Sequence, residues 1–373
     1  MSHPFSTLPR FKSSVHDVEE LRRAWYHMAQ VRYAITGSPV THSLSPLLLG
    51  LVLSNLEKFG GDVELHSKNS SMHLVDTRAI EDALGWGYAG HAPNAPEWEY
   101  TGAPFGKFRT DALLKKAIEA AMEIEDADPR LSSSFDSDPV SSLTPGNPYL
   151  ADAVRRQLPT QCLENEVWIN LTSPLKHQLA SDAISTIDDS MDLQSVNTLR
   201  WDGQGWWCAS VDGYGVVALA QHYGVDVKGG AILGIVGGGG AARSTADAWL
   251  KEGGRISAVP GRRPLELPYA FESLKPTEAV DFVVDFEKNQ TSESSFSQCE
   301  LRLNPTYGPQ PGDLESRFSA LLSRPLDGRW MLVAQHLEAW KRLWTPQYAD
   351  FLPSLELLLT QLVHAENLLA KYA

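Results

Sequence analysis

The stretch AILGIVGGGGAARSTADAWLKEGGRISAVP, residues 231 to 260, decides the fold. Its first six residues are an unbroken apolar run, the mark of a parallel strand covered on both faces. Gly237, Gly238, Gly239 and Gly240 follow, then helix formers up to Lys251, then a second apolar run from Arg255 to Val259. Strand, turn, helix and strand in this order make a βαβ unit. Gly237, Gly239 and Ala242 satisfy G-x-G-x-x-A. At that spacing glycine permits a tight turn and a close approach of backbone to a pyrophosphate at the helix N-terminus. A glycine-rich turn can also serve packing alone, but here the flanking elements that a dinucleotide site requires are all present. Past the second strand stand Gly261, Arg262 and Arg263, with no acid. An acid there would hold a ribose 2′-hydroxyl and an arginine accommodates a 2′-phosphate, so the pair favours NADP over NAD.

Upstream, VRYAITG (residues 31 to 37) alternates as a strand, and SPVTHSLSP leads into LLLGLVLSNL, a buried helix with Pro46 near its start and Ser43 or Ser45 as cap. VELHSK (63 to 68) reads as a second strand. Between residues 85 and 165 the pattern loosens into Pro-, Gly- and Ser-rich loops around one amphipathic helix, with Leu114, Ala117, Ile118 and Ala121 on a common face. Val167, Trp168 and Ile169 then form a strand end that feeds NLTSPLK (170 to 176). Pro174 suits a first helical turn, which places Lys176 in the opening turn of a helix KHQLASDAIS. Asn170, Thr172 and Lys176 thereby converge at a strand-to-helix junction. SVNTLRW and GWWCAS flank Asp202-Gly203 as a hairpin, and VDGYG opens another helix. FVVDF and LRLNP are further strands, and two helices close the chain. Leu355, Leu358, Leu359, Leu362 and Leu369 give the last one an apolar face.

The 373 residues, 43% apolar and 21% charged, suit an α/β protein of two domains. A net charge of -14 argues against a nucleic-acid or anionic-membrane partner. Cys162, Cys208 and Cys299 have no metal-ligand spacing, so no metal is expected. The opening MSHPFSTLPRFK has no apolar core of signal length and no span reaches membrane thickness, which makes the cytoplasm the expected compartment. Reduction of a carbonyl by hydride needs a proton donor beside the developing alkoxide. Lys176 and Asp212, each just past a strand end, can form such a pair, although a lysine in a first helical turn is more often a solvated surface residue.

HSLSP, NLTSPLK, SVNTL, VDGYG, VGGGGAAR and MLVAQ occur in the order found in shikimate dehydrogenases, which the chain resembles. The resemblance implies an α/β substrate domain (1–212, with an insertion at about 85–165), a Rossmann-type NADP-binding domain (213–328), and C-terminal helices (329–373) that return to the first. It implies reversible reduction of 3-dehydroshikimate to shikimate by NADPH in a monomer or homodimer. Lys176 becomes the acid/base and Asp212 its partner. Ser43 and Ser45 would contact the substrate carboxylate, and Thr172, Asn197 and Gln335 the carboxylate and ring hydroxyls, with Asn170 supporting the junction. Gly237, Gly238, Gly239, Gly240 and Ala241 would cradle the pyrophosphate. Arg262 would meet the 2′-phosphate, Arg263 stands beside it, and Gly328 matches a glycine near the nicotinamide. Besides the insertion, which is a departure from the family, the chain departs from it in four places. Ser210 and Val211 replace an Asn-Thr, and Gly261-Arg262-Arg263 replaces Asn-Arg-Thr. NPTYG (304 to 308) stands for NATSxG, and the last Rossmann strand with its YxP motif is expected to be missing. The alternatives are a quinate or aminoshikimate dehydrogenase, or a non-catalytic homologue that senses shikimate-like ligands.

Overall fold

The computed structural model describes residues 29–60, 65–89, 111–132, 146–162, 165–276, 279–287, 296, 298–308, 310 and 312–371. The opening MSHPFSTLPRFK, the start of VELHSK and most of the loop-like stretches within 85–165 lie outside them.

The first sheet grows from β1 (Ala29–Gly37), which carries Val31, Tyr33, Ala34 and Ile35 into the interior. β1 pairs in parallel with β2 (Leu65–Asp76) on one side and β3 (Asn165–Leu171) on the other. β4 (Ile184–Thr186), β5 (Thr198–Trp201) and β6 (Trp206–Ala209) complete the order β2-β1-β3-β5-β6-β4. The β5–β6 hairpin turns where expected: Gly203 takes φ 89°, and Asp202 Oδ1 accepts from the backbone N–H of Gln204 and Gly205, each at 2.8 Å.

Helices α1 (Ser45–Phe59), α2 (Ile80–Ala89), α3 (Asp111–Ala121), α4 (Pro148–Arg155), α5 (Asp212–His222), α6 (Gly240–Lys251), α7 (Leu314–Leu322), α8 (Gly328–Ala339) and α9 (Leu355–Lys371) pack around and between the sheets. The expected helix after NLTSPLK is not formed. A single 3-10 turn, Leu175–His177, is followed by the strand β4, parallel to β6. Leu175, Leu179 and Ile184 are all drawn into the same apolar cluster, and Gln178 is tied to Ile80 N–H and the Arg78 carbonyl. Edge pairing to β6 thus overrides local helical pattern. Helix α4 lies in a stretch read as loop, where Asn147 caps the backbone N–H of Tyr149 and Leu150 ahead of Pro148.

The second sheet is wholly parallel: β7 (Ile232–Val236), β8 (Arg255–Val259), β9 (Phe282–Asp285) and β10 (Arg302–Leu303), in the order β10-β9-β7-β8. Single parallel bridges extend it at both edges, Ser273 to Ile256 beyond β8 and Leu326 to Leu303 beyond β10. Leu326 N–H donates to the Arg302 carbonyl at 2.7 Å and its own carbonyl accepts from Asn304 N–H at 2.9 Å. Beyond β10 this single bridge is the whole of the pairing, and no further strand is formed there among the described residues. Pro264, Pro268 and Pro276 keep the opposite edge from forming a longer strand. NPTYG also sits one position further out than expected. It leaves β10, whereas the neighbour of β7 is β9, which runs on into Phe286 and Glu287.

The C-terminal segment binds the first sheet from behind. Helix α8 continues into a π turn, Trp340–Trp344, whose two tryptophans pack on Trp168 of β3 with ring centroids 5.0 and 5.3 Å away. Beside them Arg200 and Glu166, both wholly buried, are joined by two hydrogen bonds of 2.9 and 2.7 Å. The remaining guanidinium N–H groups go to the carbonyls of Pro159, Gln161 and Leu343, so neither charge is left uncompensated. The apolar face of α9 buries Leu358, Leu359, Leu362 and Leu369, and α9 lies against α1 and α3.

Candidate active site

A cavity of about 490 Å³ opens between the C-terminal ends of the strands of the two sheets. Ser43, Ser45, Thr172, Lys176, Asn197, Asp212 and Gln335 all line it, as do Ala241 and Gly328. Residues spread from 43 to 335 in the sequence thus share one wall-to-wall space.

Its polar floor is a directed chain of hydrogen bonds. Tyr33 Oη donates to Asn170 Oδ1 (2.6 Å), and Asn170 Nδ2 to Thr198 Oγ1 (3.3 Å). Thr198 Oγ1 donates to Asn197 Oδ1 (3.0 Å), and Asn197 Nδ2 to Asp212 Oδ1 (2.7 Å). Lys176 Nζ closes the series on Asp212 Oδ2 at 2.6 Å. Every donor points towards the Asp212 carboxylate, which is 1% exposed, while Lys176 keeps 23% of its side chain open to the cavity. Both carboxylate oxygens of Asp212 are thus taken, one by Lys176 and one by Asn197, and the lysine is aimed from Asp212 into the cavity. Asn197 Oδ1 also accepts from Val211 N–H at 2.9 Å, so most of its amide is spent on the protein and one N–H remains for a ligand.

Local sequence explains the placement. Asp212 is the first residue of α5, and the glycines beside it are crossing points. A Cβ on Gly213 would run into the Ser244 carbonyl of α6, and one on Gly215 would stand 2.7 Å from the Gln335 nitrogen of α8. The three helices therefore meet where VDGYG brings them together. Ser210, which replaces a family Asn, still braces this point: its hydroxyl lies 2.8 Å from both the Ser195 carbonyl and Ser244 Oγ, and Ser244 Oγ takes Gly213 N–H at 3.0 Å.

At the head of the cavity Ser45 is the first residue of α1 and not its cap, and Ser43 Oγ accepts Ser45 N–H at 3.2 Å. Two tyrosines that sequence reasoning did not single out stand there. Tyr33 contacts Ser45 and Asn170, and Tyr307 contacts Ser43 while its hydroxyl accepts Leu44 N–H at 3.3 Å. Burial pushes both phenols up, which keeps them protonated. Tyr307 had a signal. It belongs to NPTYG, which carries Pro305, Thr306 and Tyr307 from the end of β10 into the cavity wall.

The glycine turn reaches the same place. Gly237 has φ 104°, Gly239 has open space where a side chain would stand, and α6 starts with no side-chain cap on its first N–H groups. A Cβ on Gly240 would lie 3.7 Å from that of Lys176, so the turn abuts the lysine. The open face and uncapped N-terminus fit a pyrophosphate. The arginines are arranged differently from expectation. Arg262 is 84% exposed and its Nε donates to Glu287 Oε2 at 2.7 Å. Arg263 is exposed. Arg243, on the first turn of α6, gives Nη2 to the Gln194 carbonyl at 2.9 Å, and its buried Nε has no partner among the described residues. Burial and the nearby Arg263 both work against its charge. No group of three or more metal-binding side chains occurs among the described residues, and no described helix is long and apolar enough to cross a membrane.

No family model matches the chain. Among curated proteins it is 33% identical over 96 residues to a shikimate dehydrogenase (NADP(+)) of Methylibium petroleiphilum, covering 26% of this chain and 32% of that protein. It is 24% identical over 212 residues to that of Natronomonas pharaonis, covering 52% of this chain and 78% of the relative. A third, from Stenotrophomonas maltophilia, is 34% identical over 114 residues, covering 30% and 40%. The chain thus spans only about a third of the length of some of these relatives. In structure it is similar to the shikimate 5-dehydrogenase of Thermus thermophilus in complex with NADP(H) and shikimate, with a TM-score of 0.51 and 16% identity over 90% of this chain and 99% of that one. The fold is that of the shikimate 5-dehydrogenase: a six-stranded mixed sheet and a second, Rossmann-like parallel sheet, with helices around both.

Proposed function

We propose that this protein is an NADP-dependent oxidoreductase that interconverts 3-dehydroshikimate and shikimate, with residues 1–212 holding the substrate and 213–328 the cofactor. The observation that carries the reading is the Lys176–Asp212 pair at 2.6 Å, placed in the cavity that the serines, Thr172 and Gln335 share. Bound NADPH would supply the hydride. Lys176 delivers a proton to the ketone oxygen as that oxygen gains charge, and in the reverse direction it takes the proton from the hydroxyl. Asp212 holds and aims Lys176. Ser43, Ser45 and Thr172, with Tyr307 behind Ser43, offer the short donors and acceptors that a carboxylated polyhydroxy ring requires. Gln335 stands on α8, next to the crossing with Gly215.

Two grounds for a non-catalytic ligand sensor are weakened by the geometry. A parallel bridge through Leu326 still stands beyond β10, and Ser210 bonds the Ser195 carbonyl and Ser244 Oγ where the Asn-Thr is absent. The test is NADP reduction by shikimate, with quinate as the competing substrate. Turnover with shikimate is expected; faster turnover with quinate would transfer the reading to a quinate dehydrogenase. Lys176→Ala should lower kcat by about 10²–10⁴-fold while leaving shikimate binding largely intact. No turnover with any pair, while shikimate still raises the melting temperature, would favour the sensor.

A further inference from the structure

Glu287 has no part in the chemistry above, yet it lies inside the dinucleotide groove. It stands two residues past β9, but its side chain crosses to the end of β8. A Cβ on Gly237 would be 3.1 Å from its Cγ, and any side chain on Gly261 would collide with its carboxylate. Gly261 therefore leaves the room that Glu287 fills. The acid is fixed, with 7% of its side chain exposed, while Arg262 reaches it from solvent, 84% exposed.

In a Rossmann fold the space between the glycine turn and the end of the second strand takes the adenosine ribose. An acid there accepts from the 2′-hydroxyl, and an arginine meets a 2′-phosphate. This chain has one of each, bonded to one another. The charge of Arg262 is offset by a carboxylate that itself repels a phosphate and offers an acceptor to a hydroxyl. Arg243 and Arg263 remain close by as cations, so the phosphorylated cofactor is disfavoured without being refused. We infer that Glu287 is a cofactor-selecting residue, supplied by β9 in place of the acid absent from β8, and that it opens the site to NAD(H) alongside NADP(H). The inference rests on the dinucleotide site proposed above.

The experiment is equilibrium titration of the full chain with NADPH and with NADH, followed by nucleotide fluorescence. Wild type should bind the two with dissociation constants within about tenfold of each other. Glu287→Gln should move their ratio towards NADPH by at least about tenfold, the order expected for removing one like charge beside a phosphate dianion. Arg262→Ala leaves the Glu287 carboxylate uncompensated, so it should move the ratio the opposite way, towards NADH, by about tenfold. A ratio unmoved by Glu287→Gln, or one that Arg262→Ala moves towards NADPH, overturns the inference while leaving the dinucleotide site standing. If the folded wild-type chain binds neither nucleotide, the proposed function fails and this inference with it.

Discussion

Asp212→Asn isolates the hydrogen-bond chain from the size of the side chain, because the two residues have the same shape. The carboxylate accepts from Lys176 Nζ at 2.6 Å and from Asn197 Nδ2 at 2.7 Å. An amide has one acceptor and one donor end, so it satisfies one of these groups and presents N–H to the other. If its oxygen faces Lys176, two amide nitrogens meet at position 197. If it faces Asn197, an NH₂ meets an ammonium. Asn197 cannot turn over to relieve the first clash, since its Oδ1 already accepts from Thr198 Oγ1 and Val211 N–H. The substitution therefore loses one charge-assisted bond, worth about 1.5–3 kcal/mol, and leaves one donor unsatisfied, about 1–3 kcal/mol more. Allowing for the partial exposure of Lys176, a net loss of about 2–4 kcal/mol in unfolding free energy is expected from urea denaturation. The turnover number should fall by about 10²–10⁴-fold, because the ammonium is no longer held against the carboxylate. A variant whose stability stays within about 0.5 kcal/mol of wild type and whose kcat changes less than threefold would refute both the direction of the chain and the role of the pair.

Gly215→Ala would place a methyl group 2.7 Å from the Gln335 nitrogen and push α5 from α8, at a cost of about 1–3 kcal/mol. A lower melting temperature and a higher KM for shikimate are expected together, and an unchanged melting temperature would contradict the crossing. Burial pushes the His336 imidazole down to about 3, and neither of its ring nitrogens has a partner among the described residues. Below its unfolded pKa, about 6.5, the unfolded chain takes up a proton that the folded chain refuses. Stability contributed by neutral His336 is thus present above pH 6.5 and lost as pH falls towards 3, by up to about 1.4 kcal/mol per unit. Replacing His336 by Leu should flatten the difference in denaturation midpoint between pH 7 and pH 5, and an unaltered difference would place its origin elsewhere.

What the sequence disclosed and what it withheld divide along the range of the interactions. The glycine turn, the Asp202-Gly203 hairpin and the lysine of NLTSPLK are local patterns, and each was legible because backbone sterics act over a few residues. That Ser43, Ser45, Thr172, Asn197 and Gln335 share one cavity was legible only through motif order, which stands in for contacts that no spacing reveals. The failures are long-range. KHQLASDAIS has helical formers, but β6 lies within reach and takes Ile184–Thr186 as an edge. Tyr33 reads as a core residue of a strand, and nothing near it announces that its hydroxyl meets an asparagine 137 positions later. Arg262 shows the sharpest form of the limit. From the second strand of the βαβ unit alone, two arginines without an acid mean a phosphate site. The acid exists 25 residues on, after a strand whose place beside β7 only the fold determines. A pattern rule for cofactor choice tests the strand it names. The ribose experiences every carboxylate that the sheet delivers to that groove, and the charge to be counted there is that of Arg262 and Glu287 together.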